Sequence, residues 1–210
     1  MKTNNMKNKG ILRSVALAGI GAYALVQLSS CSQYGDVSSG KDTEGGRTRN
    51  SLAALVSGVV ANQMYEKSDI NLTMEKTLYP DAKVNGHTGI SNINTSVDLW
   101  FADADFNADR KENGMFEGKV YKTEWNWKIN QKNSNIWEVV RFGLKFNNEL
   151  DLTCKDGKIN GEFKRPMGFN WDIDGTYDSN GNTKIHVNIP EGYDFDLNGK
   201  INKINNEEHK

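Results

Sequence analysis

The chain has few of the residues that carry catalysis or cross-link a small secreted domain. Its 210 residues include only two cysteines and three histidines. The sequence also lacks a His-Glu-x-x-His zinc motif, a Gly-x-Ser-x-Gly nucleophile turn and a phosphate-binding glycine loop. These are the usual motifs of metalloproteases, α/β-hydrolases and nucleotide hydrolases. Their absence favours a protein that is not an enzyme.

A long apolar run is also missing. The apolar run near the N-terminus, Val15–Leu28, has 14 residues, whereas a helix that crosses the hydrocarbon core of a membrane needs about 20. It follows a segment with four Lys or Arg residues and no acidic residue, and small residues come after it. A basic segment, a short apolar run and small residues are typical of a secretion signal. We predict a signal peptide over residues 1–30.

The end of this segment, Leu28-Ser29-Ser30-Cys31, resembles the lipobox of bacterial lipoproteins. The resemblance implies cleavage between Ser30 and Cys31, a diacylglyceryl group on the Cys31 thiol, and an acyl chain such as palmitate on its new amino group. Two or more chains are enough for stable membrane anchoring. Ser32 resembles the pattern that lets lipoproteins leave the inner membrane, so we expect a lipid-anchored envelope protein at the outer membrane. The alternative is an ordinary secreted protein with a cysteine near its cleavage site.

The charge of the processed chain excludes one class of partner. Residues 1–30 hold four basic and no acidic residues, which leaves 22 basic and 27 acidic residues and a formal charge of −5. A surface of this kind does not bind nucleic acid. Because the lipid uses Cys31, the second cysteine, Cys154, has no partner for an intramolecular disulfide.

Composition divides the chain into four parts. Gly, Ser and charged residues dominate 31–50, as in a flexible tether. Apolar residues at helical spacing begin at Leu52, after Ser51 as a cap, and predict a short helix over 51–66. The expected division is a signal peptide at 1–30, a tether at 31–50, one β-rich domain with an N-terminal helix at 51–205, and a polar tail at 206–210.

From Asp69 onward, apolar residues alternate with polar ones, which predicts half-buried strands. Turn dipeptides separate them at Asn147-Asn148, Asp156-Gly157, Asn180-Gly181 and Asn198-Gly199. The prediction is an all-β antiparallel meander of about eight to ten strands. It closes as a barrel or packs as a two-layer sandwich, and the sequential hairpins favour the barrel. Glycines inside the strand patterns predict sharp coiling, at Gly118, Gly143, Gly161 and Gly175.

Two acidic stretches resemble calcium loops. Asp194, Asp196 and Asn198 stand at the alternating oxygen positions of such a loop. The twelfth position is Asn205 instead of a carboxylate, so a hairpin with its turn at Asn198-Gly199 is the alternative. The other stretch, 103–109, is interpreted as a solvated loop. Calcium is the one candidate cofactor.

The remaining candidates are a thiol and two tryptophans. Cys154 continues the inward series of Leu150 and Leu152, which is typical of a buried core thiol. Trp100 alternates out of phase with the inward residues Leu99 and Phe101, and Trp137 alternates out of phase with the inward residue Ile136. These two tryptophans are therefore the predicted exposed contact residues.

Three functions remain open. The preferred hypothesis is a non-enzymatic, membrane-anchored lipoprotein whose β-domain binds a small apolar ligand or an envelope partner, and an enclosed pocket would support carriage of the ligand. The second is a structural or protein-interaction module of the outer membrane that docks through sheet edges or exposed tryptophans. The third is a glycan-binding or hydrolytic surface protein, suggested by the acidic stretches and the tryptophan content.

Overall fold

A computed structural model describes residues 44–75, 82–98, 103–121, 127–141, 147–166, 170–190 and 194–205. The chain divides into the units Met1–Gly45 and Gly46–Lys210, and the fold described below is that of the second. Cys31 and the predicted signal peptide, tether start and polar tail lie outside the described residues. The described elements are helix α1 (Glu44–Met64) and strands β1 (Ser68–Glu75), β2 (Ala82–Thr88), β3 (Asn92–Asp98), β4 (Ala104–Arg110), β5 (Phe116–Tyr121), β6 (Trp127–Gln131), β7 (Ile136–Arg141), β8 (Asn147–Lys155), β9 (Lys158–Lys164), β10 (Trp171–Tyr177), β11 (Asn182–Asn188) and β12 (Phe195–Lys203).

The strands form a closed antiparallel barrel. Each strand pairs with the next one along the chain, and β12 pairs with β1, for example through Ile70 and Ile201. This confirms the predicted all-β meander with a preceding helix, and it decides for a barrel over a sandwich. The barrel has twelve strands in the described part of the chain, two more than the upper expectation.

One of the additional strands corrects the interpretation of 103–109 as a solvated loop. β4 occupies this stretch, with Phe106 and Ala108 buried and Asn107 and Asp109 on the outside. The small Ala residues between carboxylates gave little apolar signal in the sequence. Their pairing with β3 and β5 supplies the strand hydrogen bonds that local propensity does not predict.

Apolar side chains line the inside of the barrel and polar side chains cover the outside. In β1, for example, Ile70, Leu72 and Met74 are buried, whereas Asp69 and Asn71 are exposed. Successive side chains of a strand point to opposite faces of the sheet, so this alternation assigns the two faces. The apolar core of the protein therefore lies in the lumen of the barrel.

Helix α1 fills this lumen. Every residue from Leu52 to Ala61 is buried, on all sides of the helix. A helix on the surface of a protein keeps a solvated face, so the barrel surrounds this part of α1. From Arg49 to Met64 the helix rises about 22 Å. A strand of seven residues, tilted at about 40°, gives a barrel height of about 18 Å. The helix therefore extends through the whole barrel.

The helix is longer than the sequence predicts. It begins at Glu44, seven residues before the predicted start at Ser51, so the last part of the expected tether is helical. Arg49 and Asn50 are already buried. Adding residues to an existing helix costs far less than nucleating one, so polar residues upstream of the apolar segment join α1 although they carry no apolar period.

The barrel has two different rims. The turn rim consists of the short described connections 89–91, 111–115, 132–135, 156–157 and 178–181. Its tight turns include Asp156-Gly157, with φ of 52° and 76°, and Asn180-Gly181, where Gly181 has φ of 77°. Both turns were predicted. The far rim is the opposite end of the barrel. There each odd-numbered strand from β1 to β11 ends and each even-numbered strand from β2 to β12 begins.

The other two predicted turns are wrong. Asn147 and Asn148 belong to β8 and pair with Val140 and Val139. Asn198 and Gly199 lie inside β12, opposite Thr73 and Leu72 of β1. A side-chain Cβ at Gly199 would collide with the backbone of Asn71 and Leu72. The glycine at this position therefore permits close strand approach and does not make a turn.

Close approach also accounts for the predicted coiling glycines. A Cβ at Gly118 would overlap the Asn107 carbonyl oxygen, and one at Gly161 would overlap that of Asp151. Gly175 has the same relation to β11. Strands without a Cβ at these points coil more sharply, as a closed barrel requires. Gly143 lies outside the described residues.

Candidate functional site

Helix α1 closely approaches the barrel wall where Gly58 meets β3 and β4. A Cβ on Gly58 would lie 2.7 Å from the Thr95 hydroxyl oxygen and 2.8 Å from carbon atoms of Ile93 and Phe106. Side chains do not tolerate such separations without moving. Glycine at this position therefore lets the helix approach the wall of the barrel.

Several polar atoms of the helix and the barrel wall are buried. The hydroxyls of Ser51, Ser57 and Thr95 are buried, as are the indole nitrogens of Trp137 and Trp171, and none has a hydrogen-bond partner among the described residues. Buried polar atoms normally have a partner. The lumen is thus apolar overall but contains donors at the helix and at the wall.

Gln63 fixes the C-terminal end of α1 to the barrel wall. Its amide nitrogen donates to the carbonyl oxygen of Leu152 at 2.7 Å and to that of Ser134 at 3.2 Å, and its amide oxygen accepts from the Cys154 backbone N–H at 2.8 Å. β7 begins at Ile136, opposite Asp151, so β8 continues past the end of its neighbour. The Gln63 amide takes the position that a further peptide group of β7 would have. It bonds to the Leu152 carbonyl and to the Cys154 N–H of β8.

Sequence reasoning did not identify Gln63 as an anchor. The signal was its position, since Gln63 continues the helical series of Leu52, Leu55, Val56 and Val59 that faces the core. A polar amide at an inward position needs a buried partner. The strand that supplies this partner depends on the register between β7 and β8. That register cannot be derived from a single sequence.

The prediction that Trp137 is an exposed contact residue is wrong. Its side chain is 1% exposed, and it stacks on Phe116 with ring centroids 5.8 Å apart and meets Phe106 edge-on at 6.3 Å. Trp137 and Val139 are the inward residues of β7. The adjacent Val139 and Val140 made the phase of this strand ambiguous in the sequence. Trp100 lies outside the described residues.

The predicted calcium residues do not form a loop. Asp196 and Asn198 lie along the outer side of β12, and Asp194 directly precedes the strand. Asp196 is 2.6 Å from Nδ1 of His186, and Asn198 donates to Glu75 at 2.8 Å. An extended strand separates alternate residues by about 6.6 Å, so it does not wrap around one ion as a calcium loop does. Within the described residues, no group of three or more His, Cys, Asp or Glu side chains has the geometry of a metal site.

Cys154 is half-buried and packs against the core. Burial raises the pKa of its thiol to about 12, because the charged thiolate loses its hydration. A thiol of this kind is a poor nucleophile at neutral pH. The geometry agrees with the interpretation of Cys154 as a structural core residue.

A polar groove lies on the outer face of β4–β7. It encloses about 720 Å³ and includes Asn107, Asp109, Lys119, Lys128 and Glu138. We call this feature the outer groove. Lys119 lies directly opposite Lys128 on the neighbouring strand, and like charges in that position destabilise a sheet. The groove therefore offers positive charge beside the carboxylates of Asp109 and Glu138.

A second charged cluster lies on the outer side of β8 and β9. The Lys164 ammonium is 3.1 Å from Asp151, 3.2 Å from Glu149 and 3.3 Å from Glu162. The hydrogen bond to Asp151, followed by the one to Glu149, raises the pKa of Lys164 above its ordinary range. One ammonium therefore contacts three carboxylates, and the cluster keeps a net formal charge of −2.

No protein-family model, curated protein or solved structure matches the chain. Among the described helices, none is long and apolar enough to cross a membrane. The geometry itself therefore supplies the arguments for function.

Barrel closure changes the second hypothesis drawn from the sequence. All twelve described strands have two partners, and a closed barrel has no free strand edge. Docking by addition of a strand is therefore not available to this wall, and burial removes Trp137 as a contact. A partner would have to bind the outer face or a rim.

Proposed function

We propose that the chain is a non-enzymatic, lipid-anchored envelope protein whose helix-filled barrel presents its outer groove to a partner. The lipobox-like residues ending at Cys31 support the anchor. The observation that carries the partner-binding role is the complete burial of α1 from Leu52 to Ala61. A small apolar ligand inside the barrel would compete with the helix for the same space, so an external surface is the better binding site.

The chemistry of the outer groove favours a partner segment with groups of both charges. Its lining contains three lysines and three carboxylates: Lys111, Lys119, Lys128, Asp109, Glu117 and Glu138. A segment of another envelope protein that carries both basic and acidic side chains fits this arrangement.

The anchor is tested by mass spectrometry of the membrane-extracted protein. The proposal expects a chain that starts at Cys31 and carries acyl groups, and expects that Cys31→Ala abolishes them. An unmodified chain that starts elsewhere would contradict lipidation, whatever the barrel binds.

The groove is tested by photo-crosslinking in intact cells. A photoreactive residue is placed at Lys128, inside the outer groove, or at Lys184, an exposed lysine on β11. The proposal expects a discrete product from position 128 that is absent from position 184. The charge reversals Lys128→Glu and Lys184→Glu form a second matched pair, and only the first should reduce partner recovery. Equal products from both positions would contradict a role for the groove.

A further inference from the structure

The hairpin of β8 and β9 carries an acidic patch on its outer face, at the end near the far rim. The patch consists of Lys164 and the three carboxylates that it contacts, Glu149, Asp151 and Glu162. One positive charge stands among three negative ones, so the patch keeps a net formal charge of −2. Asp172 lies directly opposite Glu162 on β10 and adds a further exposed carboxylate beside it. This end of the hairpin therefore attracts positive charge.

The other end of the same hairpin carries a basic patch. Lys155 and Lys158 flank the tight turn Asp156-Gly157 and stand directly opposite each other. Both side chains are exposed, and neither forms an ion pair with another described residue. Like charges in directly opposite positions destabilise a pair of strands. Two carboxylates brought to the basic patch from outside would remove this repulsion.

A neutral row lies midway between the two patches. It consists of Thr153 and Asn160, which are paired across the hairpin. On β8, Asp151 and Lys155 stand two residues to either side of Thr153, and the same spacing holds on β9 about Asn160. Residues two apart on a strand share a face and are about 6.6 Å apart. A rotation of 180° about the neutral row therefore exchanges the positions of the acidic and basic patches.

We infer that this hairpin face binds the same face of a second copy of the chain, about a two-fold axis that runs along the neutral row. Asp151 of each copy then lies over Lys155 of the other, and Glu162 lies over Lys158. Each of these pairs occurs twice, so four pairs of opposite charge form around a neutral centre. A two-fold interface uses one patch of surface on both copies, so the assembly closes at two chains.

Charge complementarity favours a second copy over a partner of a single charge. A basic partner would fit the acidic patch but would meet Lys155 and Lys158 at the other end of the hairpin. An acidic partner would have the reverse difficulty. The outer wall of a barrel is convex, so two walls meet over a small and polar area, and such interfaces belong to the weak class. The inference does not rest on the proposed lipid anchor or on the outer groove.

The test is photo-crosslinking of the full chain in intact cells. A photoreactive residue replaces Asn160, on the axis, or Asn71, an exposed asparagine on β1. We expect a product with the mass of two chains from position 160 and none from position 71. With the purified full chain, the product should decrease about tenfold between about 0.1 M and 1 M salt, since the screening length falls from about 10 Å to about 3 Å. No product from position 160, equal products from both positions, or a series of three or more chains would overturn the inference.

Exchange of charges between two copies is the decisive control. Lys158→Glu and Glu162→Lys each turn attraction into repulsion when the variant pairs with itself, so each alone should give about tenfold less product. When the two variants are produced together with different tags, the unchanged Glu162 of one copy faces the unchanged Lys158 of the other, and the two substituted residues also attract each other. The mixed pair should crosslink as well as the unchanged chain does. A mixed pair that stays as weak as the single variants, while each variant still unfolds cooperatively on heating, would overturn the inference.

Discussion

Removal of the Gln63 side-chain amide should weaken the whole barrel, because this group links α1 to β8. Gln63→Ala removes the donor to Leu152 and the acceptor for the Cys154 N–H. Each hydrogen bond contributes about 0.5–1.5 kcal/mol, and a buried group left without a partner costs about 1–3 kcal/mol. Because these groups are only partly buried, we expect a total loss of about 2–3 kcal/mol. Urea denaturation followed by tryptophan fluorescence measures this loss.

The matched control is Gln131→Ala. Gln131 donates to the same Ser134 carbonyl oxygen, but at 3.5 Å and in an exposed position. Its removal should change the unfolding free energy by less than about 0.5 kcal/mol. A third variant, Gln63→Glu, keeps the length and the acceptor but loses the donor at neutral pH. It should recover stability below about pH 4.3, where a protonated glutamic acid donates again. Equal effects of Gln63→Ala and Gln131→Ala would refute the anchoring role.

Three further predictions concern packing and titration. Gly58→Val should cost about 1–3 kcal/mol because its side chain enters the contact with the barrel wall, whereas Ser57→Ala, which removes a hydroxyl without a described partner, should be nearly neutral; thermal denaturation compares the two. The pKa of the Cys154 thiol is raised from 9.0 to about 12, so its contribution to folding stability is complete below pH 9 and should disappear as the pH rises towards 12. An equal loss of unfolding free energy between pH 9 and 12 in a Cys154→Ala variant would contradict this. Hydrogen bonds from Asn182 lower the pKa of Asp178, so its contribution to stability should be present above pH 3.8 and be lost as the pH falls below it. The measurement is the protection factor of the Asn182 amide, which should be lower in acid than at pH 6.

Strand alternation and turn chemistry predicted the architecture better than its details. The meander, the barrel and the left-handed turns at 156–157 and 181 follow from local patterns. The same patterns misplaced turns at Asn148 and Gly199, because asparagine also occurs within paired strands and glycine also occurs where neighbouring strands come close. Local sequence does not distinguish these two uses of glycine, since the second depends on the partner strand.

The location of the helix was beyond the sequence. Apolar residues at helical spacing predicted α1, but that pattern is equally typical of a helix packed on the outside of a sheet. Here Ala53, Ala54, Val60 and Ala61 extend the buried surface around the entire helix. Small residues give a weak hydrophobic signal, although they are what allows a helix to fit within a barrel. The outer groove depends on strand coiling and is likewise absent from the linear pattern.

The central claim is that α1 is a permanent part of the barrel core. Amide hydrogen exchange tests it most directly by comparing Val56, Val59 and Val60 of the helix with Ile93 and Val97 of β3. If α1 fills the lumen, the helix amides should exchange only through global unfolding, as slowly as those of the strand. Exchange of the helix amides that is orders of magnitude faster than exchange in β3 would show that the helix leaves the lumen, and would contradict the account.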